Sequence, residues 1–249
     1  MTKRIQVGVT LTAALLAAVA PAAGATLRPP DLGMAKLSTI SIDTTTRPGR
    51  RLLRYTAVMV DVGAGPLELI GSRPDTSTAT MSVVQRTYDD AGGYVDAPVG
   101  TTMFYAGDGH NHWHTSDIEG GTLARLDNGR QVGALEKHGF CFFDNVKYRL
   151  TLPGAPQTAH YLNSGCDPGQ PNALTADMGL SVGWGDSYPA TTNLQWIDTT
   201  GLKNGKYLLT ATANPGNVIQ ESSTSNNSAW AKIRITGNTV TVLQYGPGA

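Results

Sequence analysis

Residues 51–62 read RLLRYTAVMVDV and are followed by Gly63-Ala64-Gly65-Pro66, which indicates a turn. Along residues 51–62 the side chains alternate in polarity and branched residues are frequent, which is typical of a β-strand. The same combination of a branched run and a turn recurs through the chain. The further strands expected on this pattern are residues 67–70, 81–88, 94–95, 122–126, 130–135, 193–198, 206–213, 229–235 and 239–244.

The stretch Asp127-Asn128-Gly129 is a strong hairpin signal, because Asn-Gly readily adopts the positive φ angles of tight turns. No segment has a sustained helical period of apolar residues. Residues 145–192 contain several prolines and glycines, and we expect them to form a long irregular excursion. These features predict an all-β fold with a β-sandwich-like core, long irregular loops and little helix.

The composition narrows the functional classes. The chain has 249 residues, with 19 lysines and arginines against 19 aspartates and glutamates, so its formal net charge is zero. A charged fraction of 15% excludes a coiled coil and a charged disordered tail. Since a nucleic-acid binder would show a basic excess, we expect no nucleic-acid partner.

Residues 1–25 have the three parts of a signal peptide. A short charged start precedes an apolar run over residues 7–20, and Ala23-Gly24-Ala25 offers small residues at the cleavage positions. The apolar run is interrupted and too short to span a bilayer, and no later stretch predicts a membrane span. We therefore expect a single domain, residues 26–249, that is secreted or extracytoplasmic.

Cys141 and Cys166 are the two cysteines of the chain. In an exported protein an even number of cysteines favours a disulfide. A disulfide that closes the loop between Cys141 and Cys166 would stabilise the fold by roughly 3 kcal/mol. Two free buried thiols, or two thiolate ligands of a metal ion, are the alternatives that the sequence leaves open.

The most informative residues are His110, His112 and His114, which occupy alternate positions and are three of the five histidines in the chain. On an extended strand such residues share one face, with neighbours about 6.6 Å apart. A slight bend would let the imidazoles meet at a copper, zinc, nickel or iron ion and leave a position open for a small ligand. The alternative is a chance cluster on a solvated strand, and the pattern does not choose between copper and zinc.

Three segments carry a family resemblance. They are His110 to His114, Lys137-His138-Gly139-Phe140-Cys141, and Trp184-Gly185-Asp186-Ser187-Tyr188 with the later Leu194-Gln195-Trp196-Ile197-Asp198. Through them residues 110–236 resemble the catalytic domain of the lysyl oxidase family, the copper- and quinone-dependent amine oxidases. The resemblance implies copper on the three histidines, a lysine tyrosylquinone cofactor made from Lys137 and Tyr188, and a disulfide between the two cysteines.

The same resemblance implies a calcium site. Its ligands would come from Asp31, Leu32, Glu221, Asn226 and Asn227, whose carboxylate, amide and carbonyl oxygens are of the kind that calcium binds. Ser223 stands where the family has an acidic ligand, and the calcium assignment is therefore weaker than the copper assignment.

The catalytic base is expected to be Asp117, three residues after His114, because the family tends to carry an acid there. Asp186 and Asp198 are the competing carboxyl groups. Any of them would need a raised pKa or a close approach to the substrate. An ordinary solvated turn carboxylate is the alternative interpretation of Asp117.

The resemblance as a whole implies an exported copper amine oxidase. Such an enzyme would convert peptidyl lysine or small primary amines to aldehydes, consume molecular oxygen, and release ammonia and hydrogen peroxide. A non-catalytic β-sandwich protein that binds copper or calcium is the main alternative. A zinc hydrolase that uses the same three histidines is a further one.

Overall fold

The computed structural model describes residues 24–107 and 109–249. The signal peptide expected at residues 1–25 lies almost entirely outside these residues. Within them the chain consists of strands, turns and loops, with a single short 3-10 helix at Asn163–Cys166, and this confirms the all-β prediction. No helix in this part of the chain is both long and apolar enough to cross a membrane.

The strands are numbered along the chain, and their pairings are antiparallel. They are β1 (Leu27–Arg28), β2 (Leu32–Met34), β3 (Ser38–Asp43), β4 (Leu52–Asp61), β5 (Leu67–Ser72), β6 (Thr80–Asp89), β7 (Tyr94–Tyr105), β8 (Trp113–Ser116), β9 (Glu119–Arg125), β10 (Gln131–Ala134), β11 (Gly139–Phe140), β12 (Val146–Lys147), β13 (Thr175–Leu180), β14 (Trp184–Tyr188), β15 (Trp196–Asp198), β16 (Gly205–Ala213), β17 (Ser228–Thr236) and β18 (Thr239–Tyr245).

These strands form three sheets. The first has the order β11-β8-β7-β6-β5-β13, with β1 beside β6, and the second has the order β10-β9-β16-β17-β18. The third is built around β4, which pairs with β2, β3, β14 and β15. Strands β16 and β17 pack against β2, and β18 packs against β3, so the second and third sheets enclose a sandwich-like core.

Strand β4 is the stretch that predicted the fold, and it lies at the centre of the third sheet. Leu53, Tyr55, Ala57 and Met59 occupy alternate positions and are fully buried. Most of the other side chains on β4 are buried as well, since strands or loops cover both faces. This explains why residues 51–62 are more apolar than a half-exposed strand requires.

Residues 145–192 contain more regular structure than the sequence predicted. Strand β13 pairs with β5, and β14 pairs with both β12 and β4, so both belong to sheets. The sequences of β13 and β14, TADMGL and WGDSY, lack a run of branched residues. Their pairing partners β5 and β4 are far away in the chain, and a local pattern cannot reveal such pairing.

The hairpin between β9 and β10 forms as predicted, although its turn differs in detail. Of the residues Asp127, Asn128 and Gly129, only Gly129 has a positive φ, of 70°. The N–H of Gly129 donates to the carbonyl of Arg125 over 2.9 Å. The turn therefore needs the conformational freedom of one glycine rather than of an Asn-Gly pair.

Candidate active site

His110 and His112 lie in the turn that precedes β8, and His114 lies within β8. The prediction of a continuous strand through all three is therefore wrong, because Asn111 between them has a left-handed φ of 53°. The turn nevertheless brings the three rings together. One nitrogen from each ring lies within 4.8 Å of the others, and the Nε2 atoms of His112 and His114 are 2.7 Å apart.

The three histidines have the right character for a transition-metal site. His114 is buried, and burial, together with the charge of Lys137, lowers its pKa to about 2. Its ring is therefore neutral, which is the form that binds a metal ion. Neutral imidazoles suit copper or zinc better than magnesium or calcium, so the residues present fit the copper that the family resemblance implies.

Lys137 and Tyr188 meet beside the histidines. Both side chains are buried, with 3% and 7% of their surface exposed, although lysine is rarely buried to this degree. The Nζ atom of Lys137 lies 5.4 Å from the centroid of the Tyr188 ring and 5.1 Å from that of Phe140. The Tyr188 hydroxyl donates a hydrogen bond of 2.9 Å to the carbonyl of Cys141, which fixes the ring next to the lysine.

Two buried carboxyl groups, Asp186 and Glu119, surround this pair. Asn145 donates a hydrogen bond to Oδ1 of Asp186. Within the described part of the chain, Oδ2 of Asp186 and both carboxyl oxygens of Glu119 have no hydrogen-bond partner. Burial raises the pKa of both carboxyl groups, that of Glu119 to about 8. Burial and the Asp186 charge also raise the pKa of the Tyr188 hydroxyl well above its ordinary value.

A cavity of about 130 Å³ opens onto these groups. It is about the size of cavities that hold one small organic molecule. Its walls bring together residues from three segments of the chain, 110–114, 137–143 and 186–192, and include every residue that the family resemblance assigned to copper and quinone. The lining residues are His110, His112, His114, Lys137, Cys141, Phe143, Asp186, Ser187, Tyr188 and Thr192.

Asp117, the expected catalytic base, does not line this cavity. Its backbone has a left-handed φ of 55°, and its side chain is 69% exposed and 2.8 Å from Nδ1 of His138. The turn at Asp117 directs the side chain to the surface although it lies only three residues after His114. Asp198 is also outside the cavity, where it forms a surface ion pair with Arg50. Of the three carboxyl groups considered, Asp186 is the one that the structure brings to Lys137 and Tyr188.

The disulfide between Cys141 and Cys166 is present, with the two Cα atoms 6.0 Å apart. Both cysteines are buried, and the described residues contain no free cysteine. The alternatives of free thiols and metal thiolates are therefore excluded for this pair. Because Cys141 also accepts the hydrogen bond of Tyr188, the disulfide anchors the segment that orients this ring.

The segments expected to bind calcium come together at the edge of the third sheet. The N–H of Leu32 donates to Oε2 of Glu221 over 2.9 Å, and Nδ2 of Asn226 donates to Oδ1 of Asp31 over 2.8 Å. Nδ2 of Asn227 donates to Oε1 of Glu221 over 2.7 Å. Within the described residues, the side-chain oxygens of Asn226 and Asn227 are buried without a hydrogen-bond partner. Such oxygens fit an oxygen-liganded cation.

Glu119 is the residue of this site that the sequence analysis missed. It is the first residue of β9, and it is 2% exposed. The signal for it was present in the hairpin, because Glu119 and Lys137 are equally distant from Asn128 at the centre of the predicted turn. Positions related in this way lie near each other at the open end of an antiparallel hairpin.

Comparison with known proteins agrees with the family resemblance of the sequence. The lysyl oxidase family model matches residues 102–245, more than half of the chain. The protein-lysine 6-oxidase of Sus scrofa is 33% identical over 133 residues, which are 52% of this chain and 46% of that protein. The protein-lysine 6-oxidase of Homo sapiens is 32% identical over 133 residues, covering 52% and 27% respectively. Lysyl oxidase homolog 1 of Homo sapiens is 32% identical over 132 residues, covering 53% and 20%. The matched region is therefore less than half the length of each of these relatives.

Proposed function

The chain belongs to the lysyl oxidase family, and from this premise we propose that it is an exported, copper-dependent amine oxidase. It would convert peptidyl lysine or small primary amines to aldehydes and release ammonia and hydrogen peroxide. Two of the relatives are named protein-lysine 6-oxidase, which describes an oxidase of this kind. The proposal extends that activity class to this chain.

The observation that carries the proposal is the distance of 5.4 Å between Nζ of Lys137 and the ring centroid of Tyr188. Burying a lysine costs free energy, because its ammonium loses hydration. A buried lysine beside a buried tyrosine and three clustered histidines is explained if the lysine and the tyrosine form one cofactor. Without such a role, burying this lysine would only destabilise the protein interior.

Five residues around the cavity would hold or form the cofactors. His110, His112 and His114 would bind copper through neutral imidazole nitrogens. Lys137 and Tyr188 would supply the atoms of lysine tyrosylquinone. These two groups would provide the oxidation of the amine and the transfer of its electrons to molecular oxygen, which ordinary side chains cannot do.

Asp186 is proposed as the base that removes a proton from the substrate carbon next to the amine. Its carboxyl group lines the cavity, and its Oδ2 atom has no hydrogen-bond partner among the described residues. Asn145 holds the other oxygen, Oδ1, and so orients the carboxyl group. Burial raises its pKa, which makes the ionised form a stronger base than a solvated aspartate.

The cavity also favours a class of substrate. A volume of about 130 Å³ admits an unbranched aliphatic chain more readily than a bulky ring system. A lysine side chain extended from a peptide, or a small primary alkylamine, has this shape. Phe143 and Cys141 line the cavity and would contact the substrate's methylene groups, and the histidines, Asp186 and Tyr188 line the cavity as polar groups that the amine could meet.

The proposal is tested with copper-loaded protein in air-saturated buffer. We expect a visible quinone absorption, and peroxide release when a primary amine is added. The intact mass should show a gain of one oxygen atom and a loss of four hydrogen atoms, as one dioxygen molecule supplies the added oxygen atom and one water, and a second is reduced to hydrogen peroxide. Lys137→Ala and Tyr188→Phe should abolish all three signals. The exposed Lys206→Ala and the peripheral Tyr94→Phe are the matched controls and should retain them.

Two outcomes would contradict the proposal. Copper-loaded protein without absorption, mass change or peroxide would favour a non-catalytic β-sandwich protein that binds copper or calcium. Hydrolytic activity that depends on zinc and on the same three histidines would favour a hydrolase.

We further propose that calcium binds beside Asp31 and Glu221 and fastens the N-terminal segment to the second half of the chain. The unpartnered buried oxygens of Asn226 and Asn227 support this assignment. At a calcium concentration of about 100 times Kd, binding should stabilise the protein by about 2.7 kcal/mol. Thermal unfolding with and without calcium measures this gain. Glu221→Gln should remove it, whereas Glu136→Gln at an exposed position should not.

A further inference from the structure

Glu119 is a buried carboxyl group that the proposed reaction does not use. We propose that Glu119 is the proton acceptor of Lys137: its carboxylate takes a proton from the Nζ ammonium, so that a neutral amine is available to bond to the Tyr188 ring. This inference rests on the proposed function, since it concerns how the cofactor is built. It assigns Glu119 a step that precedes turnover.

The open end of the β9–β10 hairpin brings the two residues together. Ala134 pairs with Thr122, and the N–H of Leu135 donates to the carbonyl of Gly121 over 2.8 Å. The ladder ends there, since the N–H of Glu136 donates to the carbonyl of Trp196. Lys137 and Glu119 each lie two residues beyond this last bond, before the N–H of Asp117 donates to the carbonyl of His138 over 2.7 Å. The charge of Lys137 acts on the Glu119 carboxyl, as expected for neighbours.

Glu119 approaches Lys137 from the protein interior rather than from the cavity. Asp186 is among the residues that line the cavity, whereas Glu119 is not. Glu119 lies on β9, where it pairs with Ala213 of β16, and it is buried. A substrate amine in the cavity would therefore meet Asp186. Lys137 is the cation whose charge acts on Glu119.

The chemistry of this step is a proton transfer. An N–H bond of the Lys137 ammonium breaks, an O–H bond forms on Glu119, and both groups become neutral. In a medium of low dielectric constant, two neutral groups cost less than two separated charges. Both oxygens of Glu119 lack a hydrogen-bond partner in the described part of the chain, so either one can accept the proton.

The surroundings of Glu119 favour the protonated product. The titratable groups that face it are Lys137, Asp186 and Tyr188 around the cavity, and Tyr55 on β4. Burial and the nearby Asp186 carboxylate raise the pKa of Glu119 to about 8, although the Lys137 charge acts in the opposite direction. A carboxylate with this affinity can take a proton from a buried ammonium at neutral pH.

The first test follows cofactor formation instead of amine oxidation. Copper is added in air to copper-free protein, and the intact mass is recorded over time. Glu119→Gln should slow the mass change roughly a hundredfold at pH 7. Copper content should remain that of the wild type. Glu119→Asp should restore part of the rate, and the Glu119→Gln rate should rise with pH as the solvent takes over the proton.

Glu68→Gln provides the matched control for this measurement. Glu68 is also a buried carboxyl group, but it accepts hydrogen bonds from Tyr88 and Tyr161 in another part of the molecule. Its variant should form the cofactor at the wild-type rate. A wild-type rate in Glu119→Gln would overturn the proposal, and so would an equal loss of rate in both variants.

A second test needs neither copper nor the quinone. In copper-free protein, the carboxyl carbon of Glu119 is titrated by NMR in the wild type and in Lys137→Met. Removing the ammonium should raise the titration midpoint of Glu119 by about one pH unit or more. An unchanged midpoint would show that the two groups do not share a proton. If wild-type protein forms no cross-link, the proposed function fails, and this titration still decides the role of Glu119.

Discussion

Lys137 is buried near two buried carboxyl groups, those of Glu119 and Asp186. If all three were charged, the protein interior would contain one positive and two negative charges in a medium of low dielectric constant. The raised pKa values of the carboxyl groups show how the protein avoids this state. One carboxyl group balances the ammonium and the other keeps its proton, so the three residues titrate as a coupled group.

This balance makes the stability cost of losing the lysine depend on pH. Lys137→Met should destabilise the copper-free protein by about 1–3 kcal/mol at pH 8, because a carboxyl group that loses its cation must bind a proton to remain buried. At pH 5 both carboxyl groups are protonated, and the cost should be much smaller. Urea unfolding at the two pH values measures the difference, with Lys206→Met as the exposed control. Equal costs at both pH values would contradict the balance of charges described above.

At the residue scale, the type and spacing of side chains predicted much of the site. The histidines are identified by their alternation, and Lys137 and Tyr188 by the family motifs. Asp117 was assigned as the base because it is close to His114 in sequence. Its left-handed backbone turns the side chain to the surface, so this closeness in sequence does not bring it to the cavity. Glu119 could have been found only by asking which residues lie beyond the paired strands, at the open end of the predicted hairpin.

At the scale of the element, Asp144 holds the long segment between β12 and β14 in place. Its carboxyl oxygens accept hydrogen bonds from the N–H groups of His160, Tyr161 and Ser181, and from the hydroxyl of Ser181. Asp144 is buried and precedes Asn145, the residue that holds Asp186. The carboxyl group thus connects the order of this segment to the proposed base.

Replacing this carboxyl group by an amide tests its role. Asp144→Asn places an N–H₂ group against donors that need an acceptor, and should lower the free energy of unfolding by about 2–4 kcal/mol. Urea denaturation measures the loss. Asp167→Asn is the matched control, since Asp167 is already in the left-handed region that asparagine tolerates. A loss below the experimental error for Asp144→Asn would show that other contacts order the segment.

The disulfide makes a second prediction at this scale. Replacing Cys141 and Cys166 together by alanine should cost roughly 3 kcal/mol of unfolding free energy, mostly by freeing the unfolded chain. Because the Cys141 carbonyl accepts the bond from Tyr188, the double variant should also form the quinone more slowly than the wild type. Denaturation and the mass time course measure the two effects. A stability loss with an unchanged rate would limit the disulfide to a structural role.

The strands were predicted where the local pattern is strong and missed where the sheet imposes the conformation. Strand β4 and the β9–β10 hairpin follow from alternation and turn chemistry. Strands β13 and β14 carry glycines and aspartates, which are unfavourable in isolated strands. Hydrogen bonding to β5 and β4 outweighs that preference.

At the scale of the whole molecule, buried carboxyl groups govern how stability depends on pH. Burial raises the pKa of Glu119 to about 8, of Asp61 to about 7 and of Asp177 to about 6. Unfolded carboxyl groups titrate near pH 4, so the folded protein binds these protons more tightly. Their contribution to stability is complete below about pH 4 and is lost as the pH rises through the folded values.

We therefore expect the unfolding free energy of the copper-free protein to fall between about pH 5 and pH 8 and to level off above pH 8. The slope should reach at most about 1.4 kcal/mol per pH unit for each group that titrates in that range. Urea unfolding at closely spaced pH values measures it, and Glu119→Gln should make the slope shallower near pH 8. A free energy that rises over this range would contradict the assignment of raised pKa values.

The pairing of Tyr188 with Ala57 has a consequence for how the molecule can be divided. The family match begins at residue 102, yet β14, the strand that carries Tyr188, pairs with β4 (residues 52–61), which lies before the matched region. If the exposed loop at residues 74–79 were cut, the two fragments should remain associated as a noncovalent complex. Separated from β4, the larger fragment would have β14 as an exposed sheet edge, and the Tyr188 ring would lose its position beside the three histidines.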